Sequence, residues 1–193
     1  MIWNFDTLKD HLEGELSEKR FRHTLGVVET AEHLAIQHGA DVNDAKFAAL
    51  LHDVAKEQNI QVAEKTLISK NEVGYLEHSK KVWHAPVGAY VAKEKFGIED
   101  GDVLNAIRYH TTGRPAMTLL EKVIFVADYT EPNRTYKGCL QVRDLWDDLD
   151  QAVYEILRQK VEKVKASSKD MHPDTLAAYD YYVTVVTKKD LHK

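Results

Sequence analysis

The stretch 118-TLLEKVIFVADY-129 carries two signals that pull in different directions. Residues 123–127, VIFVA, form an unbroken apolar run rich in β-branched and aromatic side chains. Such a run suits a buried strand as well as a buried helix, and periodicity alone does not separate them. The pattern ahead of it does. Thr118 followed three residues later by Glu121 has the form of a capping box, in which each side chain satisfies a backbone N–H at a helix start. A strand has no use for that signal. The segment is therefore read as a helix, and Asp128 falls within it directly behind the apolar run.

Working outward, the same helix punctuation recurs. Ser17 precedes a long amphipathic segment in which Phe21, Leu25, Val28, Ala31 and Ala35 repeat at helical spacing, and Gly39 closes it. Asn43 or Asp44 starts a second helix that carries 48-AALLHDVAKE-57, and residues 59–69 form a shorter third. Pro86 fits the first turn of a helix that runs to Phe96 and stops at Gly97. Asp100 or Asp102 caps VLNAIRYH, which ends at His110. Beyond the opening stretch, Leu149, Val153, Ile156, Leu157, Val161 and Val164 mark another amphipathic helix, and Pro173 begins the last. No segment shows strand alternation bounded by hairpin turns. The expectation is an all-α, compact helical bundle of about eight helices. It is read as a single domain over 1–193, with a core at about 17–135 and C-terminal helices at about 140–190 packing on it.

Bulk properties narrow the function. The 193 residues can bury a sizeable core, and 44% hydrophobic with 30% charged residues is an ordinary globular balance. A net charge of −5 argues against a protein that grips nucleic acid non-specifically. One cysteine, Cys139, excludes a disulfide framework and a cysteine-based zinc site. The N-terminus lacks the basic and apolar regions of a signal peptide, and no apolar run approaches the length of a membrane span. A cytoplasmic protein with no membrane or nucleic-acid partner is expected, with a homodimer an allowed assembly.

Ten histidines invite a metal reading, although a lone histidine on a helix is usually structural. Spacing favours the metal. His23, His52, Asp53, His84, His110 and Asp128 come from five successive helices or their ends. Asp53 and Asp128 each sit in apolar surroundings, where an ionised carboxylate is costly unless paired or metal-bound. Imidazole with carboxylate suits iron, manganese, zinc or nickel. Six donors are too many for one catalytic ion with an open position and a sensible number for two ions sharing a carboxylate. Two metals roughly 3.5–4 Å apart can hold a bridging hydroxide and clamp both oxygens of a phosphoryl displacement.

Arg20 precedes His23 by three residues, Lys56 follows Asp53 by three, Arg114 follows the His110 turn, and Arg134 follows Asp128. These cations suit a phosphorylated ligand, although 26 Lys and Arg residues make some proximity inevitable. There is no G-x-S-x-G elbow, Walker loop, G-x-G-x-x-G or H-E-x-x-H. Cys139 lies in YKGCLQV with nothing to activate a thiolate. Tyr179, Tyr181 and Tyr182 read as helix packing, with base stacking as the alternative.

The set His23, His52-Asp53, His84, His110 and Asp128 resembles the HD-domain superfamily of metal-dependent phosphohydrolases, in its dinuclear branch. HTTGRPAMTLLEKVIFVADYTEPNR and HPDTLAAYDYYV further resemble the YqeK family, symmetrical dinucleoside tetraphosphatases with a di-iron site. The resemblance covers nearly the whole chain. It implies that His23, His52, Asp53 and Asp128 hold one ion, and that Asp53 bridges to a second completed by His84 and His110. Iron is the implied metal, with manganese or zinc as substitutes. Arg20, His23, Lys56, Thr111, Arg134 and the segment Met171, His172, Pro173, Asp174, Thr175, Leu176 are implied to face the nucleotide. His172 reads equally well as a helix-start residue before Pro173. The implied reaction is cleavage of diadenosine tetraphosphate to two ADP by the metal-bridging hydroxide, with Asp53, Lys56 and Arg134 in the catalytic apparatus. The rivals are another HD enzyme acting on a nucleoside monophosphate, a deoxynucleoside triphosphate or a cyclic dinucleotide, a nucleotide sensor without turnover, and a purely structural helical protein.

Overall fold

The computed structural model describes residues 3–167 and 171–191. Among these residues there are ten α-helices, two short 3₁₀ turns and no strand. The first five helices are α1 (Phe5–Glu15), α2 (Glu18–His38), α3 (Val42–Leu51), α4 (Ile60–Ser69) and α5 (His84–Glu94). They are followed by α6 (Gly101–Tyr109), α7 (Leu119–Thr130), α8 (Lys137–Arg143), α9 (Leu149–Ser167) and α10 (Pro173–Asp190). The 3₁₀ turns, Val73–Glu77 and Lys80–Val82, lie between α4 and α5.

The opening stretch forms α7, and its capping box is present in full: Glu121 N donates to Thr118 Oγ1, and Thr118 N donates to the Glu121 carboxylate at 2.9 Å. With its start fixed, α7 buries Val123, Ile124, Phe125, Val126 and Ala127 completely or nearly so. It packs against α2, α3, α6, α8 and α9, so it is the hub of the bundle. Each large side chain buried there contributes about 1.5–3 kcal/mol of transfer free energy. One apolar core runs from Leu8 in α1 to Tyr182 in α10. A smaller one, containing Leu67, Tyr75, Trp83 and Val87, lies under α4 and the 3₁₀ turns.

The helix count exceeds the expected eight for physical reasons. Helix α1 fully buries only Leu8 and Leu12, with Phe5 half-buried against the core, and its other positions are mostly polar. Helix α8 spans only seven residues, too few to show a period. Several boundaries also move. Asp41, not Asn43 or Asp44, caps α3, and Asp100, not Asp102, caps α6. His84 is the first residue of α5, two positions ahead of Pro86. Most relevant to function, α3 ends at Leu51, so His52 and Asp53 sit in the tight turn that follows it and not on the helix. Helix α10 continues through its β-branched second half to Asp190. No helix of the described residues is long and apolar enough to cross a membrane.

Candidate metal centre

The site forms where α2, the turn after α3, α5, α6 and α7 converge. Ser17 caps α2 by accepting from Arg20 N, and it is itself held by Glu57, which accepts from Ser17 N at 2.8 Å and from Ser17 Oγ at 2.6 Å. The far end of the 52–57 turn is thus tied to the start of the helix that carries Arg20 and His23.

Three imidazoles are oriented by the same device. His52 Nδ1 donates to the Ala49 carbonyl at 2.6 Å, and His110 Nδ1 donates to the Ile107 carbonyl at 2.7 Å. His23 Nδ1 lies 3.2 Å from Glu131 Oε1. Because these oxygens can only accept, each ring places a hydrogen on Nδ1 and turns its Nε2 inward.

Asp53 divides what lies around it. Its Oδ2 faces His52 Nε2 at 3.5 Å and His23 Nε2 at 3.6 Å, and accepts from Arg20 Nη1. Its Oδ1 faces His84 Nε2 at 3.1 Å and His110 Nε2 at 3.5 Å. Asp128 joins the first group, with Oδ1 3.2 Å from His23 Nε2 and 3.9 Å from His52 Nε2. Two trios result, His23–His52–Asp53 and Asp53–His84–His110, with donor atoms in each within 4.8 Å of one another.

The residues fit divalent metal ions. Asp53 Oδ1 is sealed from solvent yet makes no hydrogen bond of normal geometry, although two imidazole nitrogens stand beside it. A buried oxygen left this way is costly, and a cation shared with those nitrogens satisfies all three. The donor set, imidazole and carboxylate without thiolate, is that of a borderline-hard ion.

The electrostatics agree. Burial works to raise the Asp53 carboxyl, but His52 beside it and the nearby His110 and His84 imidazoles hold it well below the usual range. Asp128 is likewise raised by burial and more than offset by His23, Arg134, His52 and His110. Burial pushes His84 down to about 4 and lowers His110, so both rings stay neutral and able to bind metal. His52 moves up despite its burial, because Asp53 and Asp128 favour its charged form.

The candidate cations divide. Arg134 Nη2 donates to Asp128 Oδ1 at 2.8 Å, and Lys56 Nζ lies 3.1 Å from His84 Nε2 and 3.9 Å from Asp53 Oδ1. Arg114 does not reach the centre: its guanidinium is engaged by Glu121 and covers the Tyr109 ring. Met171, His172, Thr175 and Thr111 line a cavity of about 450 Å³, while Pro173, Asp174 and Leu176 stand outside its wall. His172 combines both of its readings, since its Nδ1 caps α10 and its ring stacks on Tyr75 with centroids 4.7 Å apart. Tyr182 is buried and Tyr179 stacks on Tyr154, so these tyrosines pack helices. Cys139 is buried, its thiol donating to the Arg134 and Tyr136 carbonyls.

Comparison with known proteins agrees with this geometry. Residues 20–133 match the HD domain family. The chain belongs to the HD-domain family. Among HD relatives, a Bacillus subtilis protein named symmetrical bis(5'-nucleosyl)-tetraphosphatase is 43% identical over 88% of this chain and 92% of its own length. A Staphylococcus aureus protein of the same name is 35% identical over 93% of this chain and 94% of its own. The HD fold superposes on a Clostridium acetobutylicum protein described as a predicted HD superfamily hydrolase involved in NAD metabolism. That match has a TM-score of 0.89 and 36% identity over 95% of this chain and 99% of that one.

Three residues of this HD centre escaped the sequence reading. Glu131 is buried and accepts from Asn133 N at 2.7 Å and Asn133 Nδ2 at 2.9 Å while facing His23. Gly26 makes room for it: a Cβ there would lie 2.5 Å from Glu131 Oε2. Lys160 on α9 donates to the Thr111 carbonyl at 2.6 Å and lines the His172 cavity. Glu131 lies in the quoted DYTEPNR, but nothing in the sequence pairs it with a histidine 108 positions earlier.

Proposed function

We propose that this protein is a metal-dependent hydrolase that cleaves diadenosine tetraphosphate at its centre, consuming one water and giving two ADP. The observation that carries the proposal is the divided Asp53 carboxylate, one oxygen facing His23 and His52 and the other facing His84 and His110. The name shared by the Bacillus and Staphylococcus relatives supplies the substrate.

In this reading His23, His52, Asp53 and Asp128 hold one ion, and Asp53, His84 and His110 hold the other. Iron is the preferred metal, with manganese or zinc accepted by the same donors. When bound, the ions supply Lewis acidity toward phosphate oxygens and make a hydrolytic water more acidic. The chain's own groups do the rest. Arg134, anchored on Asp128, and Lys56, beside His84, offset charge on the phosphates. Arg20 does so from the Asp53 Oδ2 side. Thr111, Met171, His172 and Thr175 receive a nucleoside in the cavity they line beside α9 and the start of α10. That makes residues 1–193 one functional unit, because the C-terminal helices complete the site. A dinucleotide tetraphosphate is too highly charged to cross a membrane unaided, so this reading puts the enzyme in the cytoplasm with it.

The test is product analysis on protein purified without oxygen, with elemental analysis of bound metal. Two ADP per substrate is the expected result, and AMP with ATP defeats the proposal. Asp53→Ala should remove both metal and activity. Full metal content in that variant would end its bridging role.

A further inference from the structure

Two cavities flank the metal centre, and they differ in chemistry. The first, of about 450 Å³, lies on the His110 side and is lined by Thr111, Met171, His172 and Thr175, with Lys81, Lys160 and Lys163 around them. Its floor is aromatic, since His172 stacks on Tyr75 and meets His78 edge to face. The second, of about 340 Å³, lies on the His23 side and is lined by Lys19, Arg20, Arg22, Arg134, Asn133 and Glu131 around that histidine. The two share no lining residue. They sit on opposite sides of Asp53: Arg20 and His23 face its Oδ2, whereas His110, next to Thr111, faces its Oδ1.

The second cavity is built of charge. Four of its lining residues are cations, and its one carboxylate, Glu131, is occupied by His23 and Asn133. Arg20 and Arg134 are anchored on Asp53 and Asp128. Lys19 and Arg22 are exposed and, among the described residues, have no ion-pair partner. No ring except His23, which is turned to the metal centre, offers a base a stacking face.

Resting on the hydrolase reading above, we infer that the His23-side cavity is a second subsite, which holds the other nucleoside diphosphate half of the substrate through its phosphates and not its base. A tetraphosphate chain crossing Asp53 then meets three lysines at one end and a cluster of four cations at the other. Base recognition belongs to the His172 cavity alone. A dinucleotide with one mismatched base therefore still binds, by placing that base on the His23 side.

The probes are ADP and a diadenosine tetraphosphate with a methylene group in place of the central bridging oxygen. Both are titrated by calorimetry into metal-loaded wild type and into the Lys19→Ala/Arg22→Ala double variant. Both positions are exposed, so the variant keeps its fold. The expected result is an affinity for the analogue lower by about tenfold, with ADP affinity unchanged, and a smaller difference in high salt because the groups are exposed. Equal analogue affinity in the two proteins overturns the inference, as does an equal loss for analogue and ADP. Absence of turnover of the natural dinucleotide by wild type would defeat the hydrolase reading instead, and the binding comparison would still decide the subsite.

Discussion

At the scale of single residues, the centre is a set of groups each aimed by one neighbour. His52 and His110 borrow the carbonyl three positions back, His23 borrows Glu131, and Arg134 leans on Asp128. Lys160 is the residue with a readable pH consequence. Burial pushes its amine down to about 8, with Arg134 and Lys56 acting the same way and Asp128 opposing them. Below that pH the amine is charged and attracts a nucleotide phosphate; above it the attraction is lost. The terminal phosphate of ADP loses its last proton at about pH 6–7, below the Lys160 midpoint, and its slope is common to wild type and variant. ADP affinity should therefore fall as pH rises through about 8, and Lys160→Met should flatten the dependence. Titrations between pH 7 and 9 check this, and an unchanged slope in the variant removes Lys160 from the site.

That the six proposed ligands would gather was legible because a carboxylate just behind an apolar run, as at Asp53 and Asp128, is conspicuous. Lys160 and Glu131 were not. A lysine on the polar face of an amphipathic helix looks like any other, and Glu131 acquires meaning only once α2 and the end of α7 are side by side.

At the scale of elements, clear punctuation was read well. The Thr118–Glu121 box, the Ser17 cap and the left-handed Gly39 stop all stand where the sequence puts them. The end of α3 did not, because His52 keeps helical dihedrals while the chain after it tightens into a turn. Helix α8 shows why a missed element matters. Its Arg143 donates to the carbonyls of Thr130, Glu131 and Arg134 at 2.8–2.9 Å, which fixes the loop that supplies Glu131 and Arg134.

Two glycines separate packing from propensity. Glycine inside a helix is about 0.5–1 kcal/mol worse than alanine, so both Gly14→Ala and Gly26→Ala would stabilise if nothing else changed. An added Cβ at Gly14 meets nothing within 4 Å, and this variant should melt higher. At Gly26 the Cβ would press on the buried Glu131 carboxylate, whose displacement unseats His23. That variant should melt lower by about 1–2 kcal/mol and bind metal more weakly. Thermal melts with metal titration check both, and an unaffected Gly26→Ala protein means that Glu131 has room to move.

At the scale of the whole molecule, the fold class followed from one capped apolar segment because that segment is the hub on which the other helices lean. The relation between the two cavities was not legible, since residues 19–23 and 131–134 on one side, and 78–82, 160–164 and 171–175 on the other, become neighbours only in three dimensions.

The same convergence makes the proposed metal a staple as well as a reagent. Its donors reach from α2 to α7, so an unfolded chain cannot assemble them, and binding to the native state alone shifts the unfolding equilibrium. At free metal one hundredfold above the dissociation constant, the linkage amounts to about 2.7 kcal/mol. In a protein of this size that corresponds to roughly 5–10 °C in melting temperature. A chelator should therefore lower the melting temperature of the wild type and leave Asp53→Ala unmoved, and a wild type indifferent to chelation would argue that the donors hold no ion. The melting curve of this protein thus doubles as a gauge of the free metal around it.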